Sequence, residues 1–177
     1  MDKRIVITGG SRGIGKTIAS AFLKNGDEVM IVSRNLGDLE AVQREFSGLG
    51  KVKAVPADVS SEEDVRRIAE EVEKIWGVVD VLVNAAGIYG AIGPVTEAEP
   101  SEWKKATEVN LFGTFLVLRA IVPLIKKQGG GVIINFSGGG EGPYPNFSAY
   151  AASKGGILRF TETAAEELKP YNIAVNA

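Results

Sequence analysis

A chain of 177 residues, 45% hydrophobic and 24% charged, is long and apolar enough to bury one sizeable core, and it is expected to form a single globular domain over 1–177. A net charge of -2 provides no electrostatic footprint for nucleic acid or an anionic membrane, so neither is expected as a partner. The chain has no cysteine and no histidine, which excludes disulfides, thiol nucleophiles, Ser-His-Asp catalysis and most zinc chemistry. No metal site is expected, and tyrosine, lysine, serine and carboxylates must carry any proton work.

Short apolar runs alternate with helical patterns along the whole chain. Strands are predicted at 3–8, 28–33, 51–56, 79–84, 131–136 and 172–176, and helices at 13–25, 36–47, 61–76, 101–127 and 148–169. Ser60-Ser61-Glu62-Glu63 reads as a capping box opening the third helix, and Pro170 as the stop of the last. The triplets Gly129 to Gly131 and Gly138 to Gly140 flank the fifth strand and read as loops. Strict βα alternation predicts a parallel sheet with right-handed crossovers and helices on both faces, a Rossmann-type doubly wound α/β fold in three layers. The first residues run straight into a strand with no signal peptide, and no apolar run reads as long enough to cross a bilayer, so a cytoplasmic protein is expected.

Two clusters of residues point to chemistry. Gly9, Gly13 and Gly15 lie between the first strand and the first helix, where a tight turn presents backbone N–H groups to an anion at a helix N-terminus. The same stretch, Gly10-Ser11-Arg12-Gly13-Ile14-Gly15-Lys16-Thr17, also matches the P-loop pattern. A P-loop enzyme needs an acid ending a second apolar strand to hold magnesium, but Val81-Leu82-Val83-Asn84 ends in asparagine. That reading stays as a minor alternative, with Lys16 and Thr17 otherwise ordinary first-turn residues. In the second cluster, Tyr150 and Lys154 stand at i and i+4 on one helix face, where an ammonium can favour the phenolate of a tyrosine that ordinarily titrates near ~10. Ser137 lies thirteen residues before Tyr150, at the end of the fifth strand, where a loop can bring its hydroxyl beside the phenol.

Together these residues resemble the short-chain dehydrogenase/reductase family over nearly the whole chain. Thr8-Gly9-x3-Gly13-Ile14-Gly15 matches the cofactor turn, Asp58-Val59 the adenine contact, Asn84-Ala85-Ala86-Gly87 the motif ending the fourth strand, and Asn110 the helical asparagine. Ser137, Tyr150 and Lys154 complete the set. The resemblance implies an NAD(P)-dependent oxidoreductase that moves a hydride between nicotinamide and a ketone/secondary alcohol pair of the 3-oxoacyl thioester or polyol/sugar type. In it Tyr150 is the general acid/base, Ser137 polarises the carbonyl, Lys154 lowers the phenol pKa and holds the nicotinamide ribose, and Asn110 anchors a relay water. Asn110 also reads as a buried amide at a helix kink, Asp58 as an N-cap, and Asn84 as a strut between strands.

The family often has two consecutive hydroxyl residues where this chain reads Phe136-Ser137-Gly138, which leaves Ser137 as the expected serine. After the second strand the run Val32-Ser33-Arg34-Asn35 carries no acid against an adenosine ribose, and Arg34, with Arg12 and Ser11 in the glycine turn, suits a 2'-phosphate. NADP is therefore expected, with NAD as the alternative. Loops 88–94 and 138–147 and a later segment are the expected substrate contacts; Tyr89, Tyr144 and Phe147 read equally as the lining of an apolar pocket or as packing. Gly155, Gly156, Ala151 and Ala152 suggest a close helix contact, and the long helices suggest self-association into a dimer or tetramer. The segment Asn172 to Ala177 resembles the start of the family's sixth strand. The seventh strand and substrate lid that follow in the family are not in this sequence, so a fragment truncated after the sixth strand is expected, and a catalytically impaired dinucleotide-binding module stands as the alternative function.

Overall fold

The computed structural model describes residues 2–138 and 142–177. Of the second glycine triplet, Gly139 and Gly140 lie outside the described residues. Six parallel strands, β1 (Arg4–Thr8), β2 (Glu28–Ser33), β3 (Val52–Pro56), β4 (Val81–Asn84), β5 (Gly131–Asn135) and β6 (Ile173–Asn176), form one sheet in the order β3-β2-β1-β4-β5-β6. The order reverses between β1 and β4, which opens a crevice at the carboxyl ends of those strands. Central strands are covered on both faces and so read as unbroken apolar runs: Ile5, Val6 and Ile7 are wholly buried, as are Val29 to Val32.

Helices α1 (Gly13–Lys24) and α2 (Leu36–Phe46) cover one face through Ala19, Leu23, Leu39, Val42 and Phe46. On the other face lie α3 (Glu62–Ile75), α5 (Gly113–Gln128) and α6 (Ser148–Leu168), which contribute Ile68, Val72, Leu116, Ile121, Ile125 and Ala164. The cap of α3 is one residue later than the sequence suggests. Ser61 accepts from the Asp64 N–H at 3.3 Å, and the Asp64 carboxylate turns to the Asp58 N–H at 2.7 Å. The acids Glu62, Glu63 and Asp64 then fill the first turn, favourable at the positive end of the helix dipole. After α6, Lys169–Tyr171 forms a short 3-10 turn around Pro170 before Asn172 takes a left-handed conformation at φ 58° and starts β6.

The helix expected at 101–127 is three segments on one axis: α4 (Pro100–Thr107), a π turn (Glu108–Phe112) and α5. By length and composition the run Pro100–Gln128 is apolar enough to cross a membrane, which corrects the sequence reading. In its most apolar 18-residue window 61% is buried in the protein, where Leu116, Val117, Ile121 and Ile125 pack on the sheet, so core packing accounts for its hydrophobicity. The π turn is the local departure that places Asn110, as π turns inside α-helices often do at functional sites.

Candidate active site

The crevice at the β1/β4 reversal is a cleft of about 640 Å³. Gly9, Ser11, Arg12, Gly13, Ile14 and Gly15 line one side of it. Ser33 and Arg34 at the end of β2, Asp58 and Val59 after β3, and Ala85, Ala86 and Gly87 after β4 continue the wall. Ser137, Tyr150 and Lys154 stand along the same cleft. Asn35, Asn84 and Asn110 do not line it. Asn35 caps α2 by accepting from the Asp38 N–H at 3.1 Å. Asn84 is a strut under the floor, donating to the Asn135 side chain at 2.9 Å, and Asn135 in turn donates to Thr161 at 2.9 Å.

The glycine turn is built for an anion. Gly9 has φ +68°, and a Cβ there would lie 2.7 Å from the Ala85 carbonyl oxygen; a Cβ at Gly15 would strike the Gly9 carbonyl. Only glycine lets these two loops and the helix start approach so closely. Gly13 differs, because its φ of +52° also requires the left-handed region, yet a Cβ would meet nothing within 4 Å. The first turn of α1 has no side-chain cap and no acidic residue, so its N–H groups are left for a bound anion. The turn is tied to its neighbours by Ser11 donating to Ser33 at 2.9 Å and by the Ala86 N–H donating to Thr8 at 3.2 Å. Lys16 instead points to Glu45 at 2.7 Å, and Thr17 donates to the Gly13 carbonyl at 3.1 Å, which is not how a P-loop deploys those residues.

Where β2 and β3 end, Arg34 is exposed and its guanidinium lies 3.9 Å from the Asp58 carboxylate. Burial opposes ionisation of Asp58, but the Ser60 hydroxyl at 2.6 Å and N–H at 2.9 Å, with Arg34, hold its carboxyl below the usual range. Asp58 thus closes a turn with Ser60, and the capping role falls to Ser61.

At the other end the Asn110 amide has each of its atoms engaged. Its oxygen accepts from the Ile88 N–H at 2.8 Å, and its nitrogen donates to the Ile88 carbonyl at 2.8 Å and to Ser153 at 2.9 Å. Ser153 donates to the Tyr150 carbonyl at 2.8 Å, so the π turn, the loop after β4 and the Tyr150 turn of α6 form one buried network. In the sequence the sole mark of Ser153 is its position one residue before Lys154, on the side of α6 that the structure buries. Gly156 permits the close packing, since a Cβ there would lie 2.8 Å from Leu111, whereas Gly155 meets nothing within 4 Å.

Lys154 is buried, and burial lowers its ammonium to about 8. It donates to the Phe136 carbonyl at 2.6 Å and lies 5.6 Å from the centre of the Tyr150 ring. The phenol does not move as the resemblance implies. Burial, with Tyr89 and Tyr144 beside it, pushes Tyr150 up from its ordinary value. The lysine's charge is directed at the strand-end carbonyl, and desolvation decides the direction. The Ser137-Gly138 corner lies against this pair: a Cβ at Gly138 would come within 3.1 Å of the Tyr150 hydroxyl.

Comparison with known proteins agrees with this arrangement. The family model for short chain dehydrogenases matches residues 3–177. A 2-dehydro-3-deoxy-L-rhamnonate dehydrogenase (NAD(+)) of Sphingomonas sp. (strain SKA58) is 34% identical over 97% of this chain and 68% of its own length. The NAD+-bound structure of a xylitol dehydrogenase superposes with TM-score 0.94 at 34% identity, over 99% of this chain and 68% of that one. A metagenomic short-chain oxidoreductase in complex with NADP gives TM-score 0.90 at 36% identity, over 97% of this chain and 77% of that one. With its Rossmann-type sheet, glycine turn and Tyr150/Lys154 pair, the chain belongs to the short-chain dehydrogenase/reductase family of NAD(P)-dependent oxidoreductases.

Proposed function

We propose that the protein reduces a ketone, or oxidises the corresponding secondary alcohol, with NADP as the preferred cofactor and NAD as the alternative. The observation that carries the reading is the convergence in one cleft of an uncapped glycine turn with Ser137, Tyr150 and Lys154. The residues fit a dinucleotide: close backbone approach at Gly9 and Gly15 and open space at Gly13 leave room for a pyrophosphate against N–H groups. Arg34 and Arg12, with Ser11 and Ser33 between them, provide cations and hydroxyls for an adenosine 2'-phosphate; the Asp58 carboxylate in the same wall lies 3.9 Å from Arg34 and offsets part of its charge. Relatives of both cofactor types exist, the xylitol dehydrogenase with NAD+ and the metagenomic enzyme with NADP.

When bound, the nicotinamide supplies or accepts the hydride. Tyr150 gives its phenolic proton to the carbonyl oxygen on reduction and takes it back on oxidation. Ser137 donates a hydrogen bond to the same oxygen. Lys154 would hold a ribose hydroxyl of the bound cofactor, and its ammonium, 5.6 Å from the Tyr150 ring centre, counters the upward shift that burial imposes on the phenol. Asn110 holds the loop after β4 and, through Ser153, the turn that carries Tyr150.

The substrate is a small carbonyl/alcohol compound, for which the family resemblance offers two types, 3-oxoacyl thioester and polyol/sugar; the protein acts in the cytoplasm and associates into a dimer or tetramer. Exposed Phe112, Phe115 and Leu158, beside the open Gly155 position, support association through α5 and α6. A second reading, a dinucleotide-binding module without turnover, is favoured by the upward shift of Tyr150 and the Lys154 bond to Phe136. A cofactor titration run beside a turnover assay on a carbonyl panel separates the two: binding with turnover supports the enzyme, binding without it the module.

A further inference from the structure

The loops that frame Tyr150 carry aromatic surface that neither the sheet nor the glycine turn uses. Tyr89 follows β4, and Tyr144 and Phe147 precede α6. The Tyr89 ring lies 5.5 Å from Phe147 and 5.1 Å from Tyr150; that of Tyr144 lies 5.3 Å from Phe147 and 6.2 Å from Tyr150. The Gly93 N–H donates to the Asn146 carbonyl at 2.8 Å, joining the two loops, so the rings form one wall rather than separate flaps. Rings serving only the core would be buried, yet Tyr89 is 57% and Tyr144 43% exposed, and the apolar surface continues through exposed Ile92 and Val95.

Among the described residues the wall offers no charged group, and its polar atoms are the Tyr89 and Tyr144 hydroxyls at the ring edges. No charged side chain occurs from Ala85 to Thr96 or from Gly142 to Ser153. The Asn146 carbonyl is engaged by Gly93, and the Ser148 hydroxyl accepts from the Trp103 indole at 3.2 Å. Against the ring faces, away from the two phenol hydroxyls, a carboxylate or a row of hydroxyls would lose water with no charged group to replace it, whereas an apolar ring or chain gains from aromatic contact.

We infer that Tyr89, Tyr144 and Phe147 select uncharged ketones and secondary alcohols that carry an apolar ring or chain beside the reacting carbon, over polyols and charged keto acids. The inference rests on the oxidoreductase reading for its reaction but concerns binding, which is measured separately. Saturation-transfer NMR on the full chain with NADP+ present compares cyclohexanone, xylulose and pyruvate as probes. Cyclohexanone is expected to bind at least tenfold more tightly than the other two. Tyr89→Ala and Tyr144→Ala should each weaken it by about three- to tenfold, the size of one aromatic contact, while Tyr144→Phe, which keeps the ring, should not. Retained NADPH binding shows that each variant is folded. Equal or tighter binding of xylulose or pyruvate overturns the inference, as does unchanged cyclohexanone affinity in folded alanine variants or an equal loss in Tyr144→Phe. Because the readout needs no turnover, absence of hydride transfer would count against the proposed reaction alone.

Discussion

Two glycines of the same turn should fail in different ways when replaced by alanine. At Gly13 the only structural cost is the left-handed backbone, about 1–2 kcal/mol for an L-residue, because a Cβ would meet no atom within 4 Å. At Gly9 the same cost is joined by backbone atoms of Ala85 and Ala86 within 2.8 Å of the Cβ, an overpacking of about 1–3 kcal/mol, for about 2–5 kcal/mol in all. With a urea slope of about 2 kcal/mol/M, Gly13→Ala should lower the midpoint by about 0.5–1 M and Gly9→Ala by about 1–2.5 M. Binding should show a separate effect. A methyl at Gly13 occupies the open space kept for the anion and displaces at least one charge-assisted hydrogen bond, worth about 1.5–3 kcal/mol, so NADPH affinity should fall about tenfold to a hundredfold in a folded protein. Urea unfolding and NADPH fluorescence titration on the two variants measure both quantities. Wild-type NADPH affinity in Gly13→Ala, or equal stability losses at the two sites, would refute the assignment of this turn as the pyrophosphate cradle.

Other predictions follow from single side chains. A lysine whose folded pKa is about 8, below its ordinary 10.5, binds fewer protons in the native than in the unfolded chain between those values. Its charge therefore costs stability below pH 8, and the cost is relieved as pH rises from about 8 toward 10.5; Lys154→Met should remove that rise in unfolding free energy between pH 8 and 9.5, read by urea denaturation at each pH. Arg34→Ala should weaken NADPH binding by about tenfold and leave NADH binding nearly unchanged, as loss of one cation–phosphate contact requires; equal effects on both cofactors would count against NADP preference. Leu158→Arg should convert an associating protein to monomer by light scattering at micromolar concentration, and a monomeric wild type would argue against α5 and α6 as the interface.

Much of this architecture is legible in the sequence because the central strands are buried on both faces. Val29 to Val32, flanked by turn residues, reads as an interior strand, and Gly9 and Gly15 serve a turn that brings backbone close to backbone, with Gly13 supplying its left-handed residue. The departures arise where local pattern has two solutions. Ser60 and Ser61 both carry hydroxyls, and Asp64 is as acidic as Glu63, so the cap shifts by one residue at no local cost. The π turn is hidden because Val109, Leu116 and Ile121 are buried at spacings an unbroken helix also allows. Tyr150 and Lys154 share a helix face, as their spacing dictates, but the choice of the Phe136 carbonyl as lysine partner depends on where β5 ends in space. The two loops of the aromatic wall, with Tyr89 and Tyr144, are legible through the family resemblance, but the ring-to-ring contacts through Phe147 depend on how the loops fold over Tyr150.

The central claim, that this cleft transfers hydride with Tyr150 as acid/base, is tested most directly by Tyr150→Phe. Removing only the phenolic hydroxyl keeps the ring between Tyr89 and Tyr144, so NADPH titration should give an affinity within about twofold of wild type, while ketone-dependent loss of NADPH absorbance should fall by the ~100- to 10,000-fold typical of a lost general acid. A Tyr150→Phe protein that binds NADPH and reduces ketone at the wild-type rate would contradict the account.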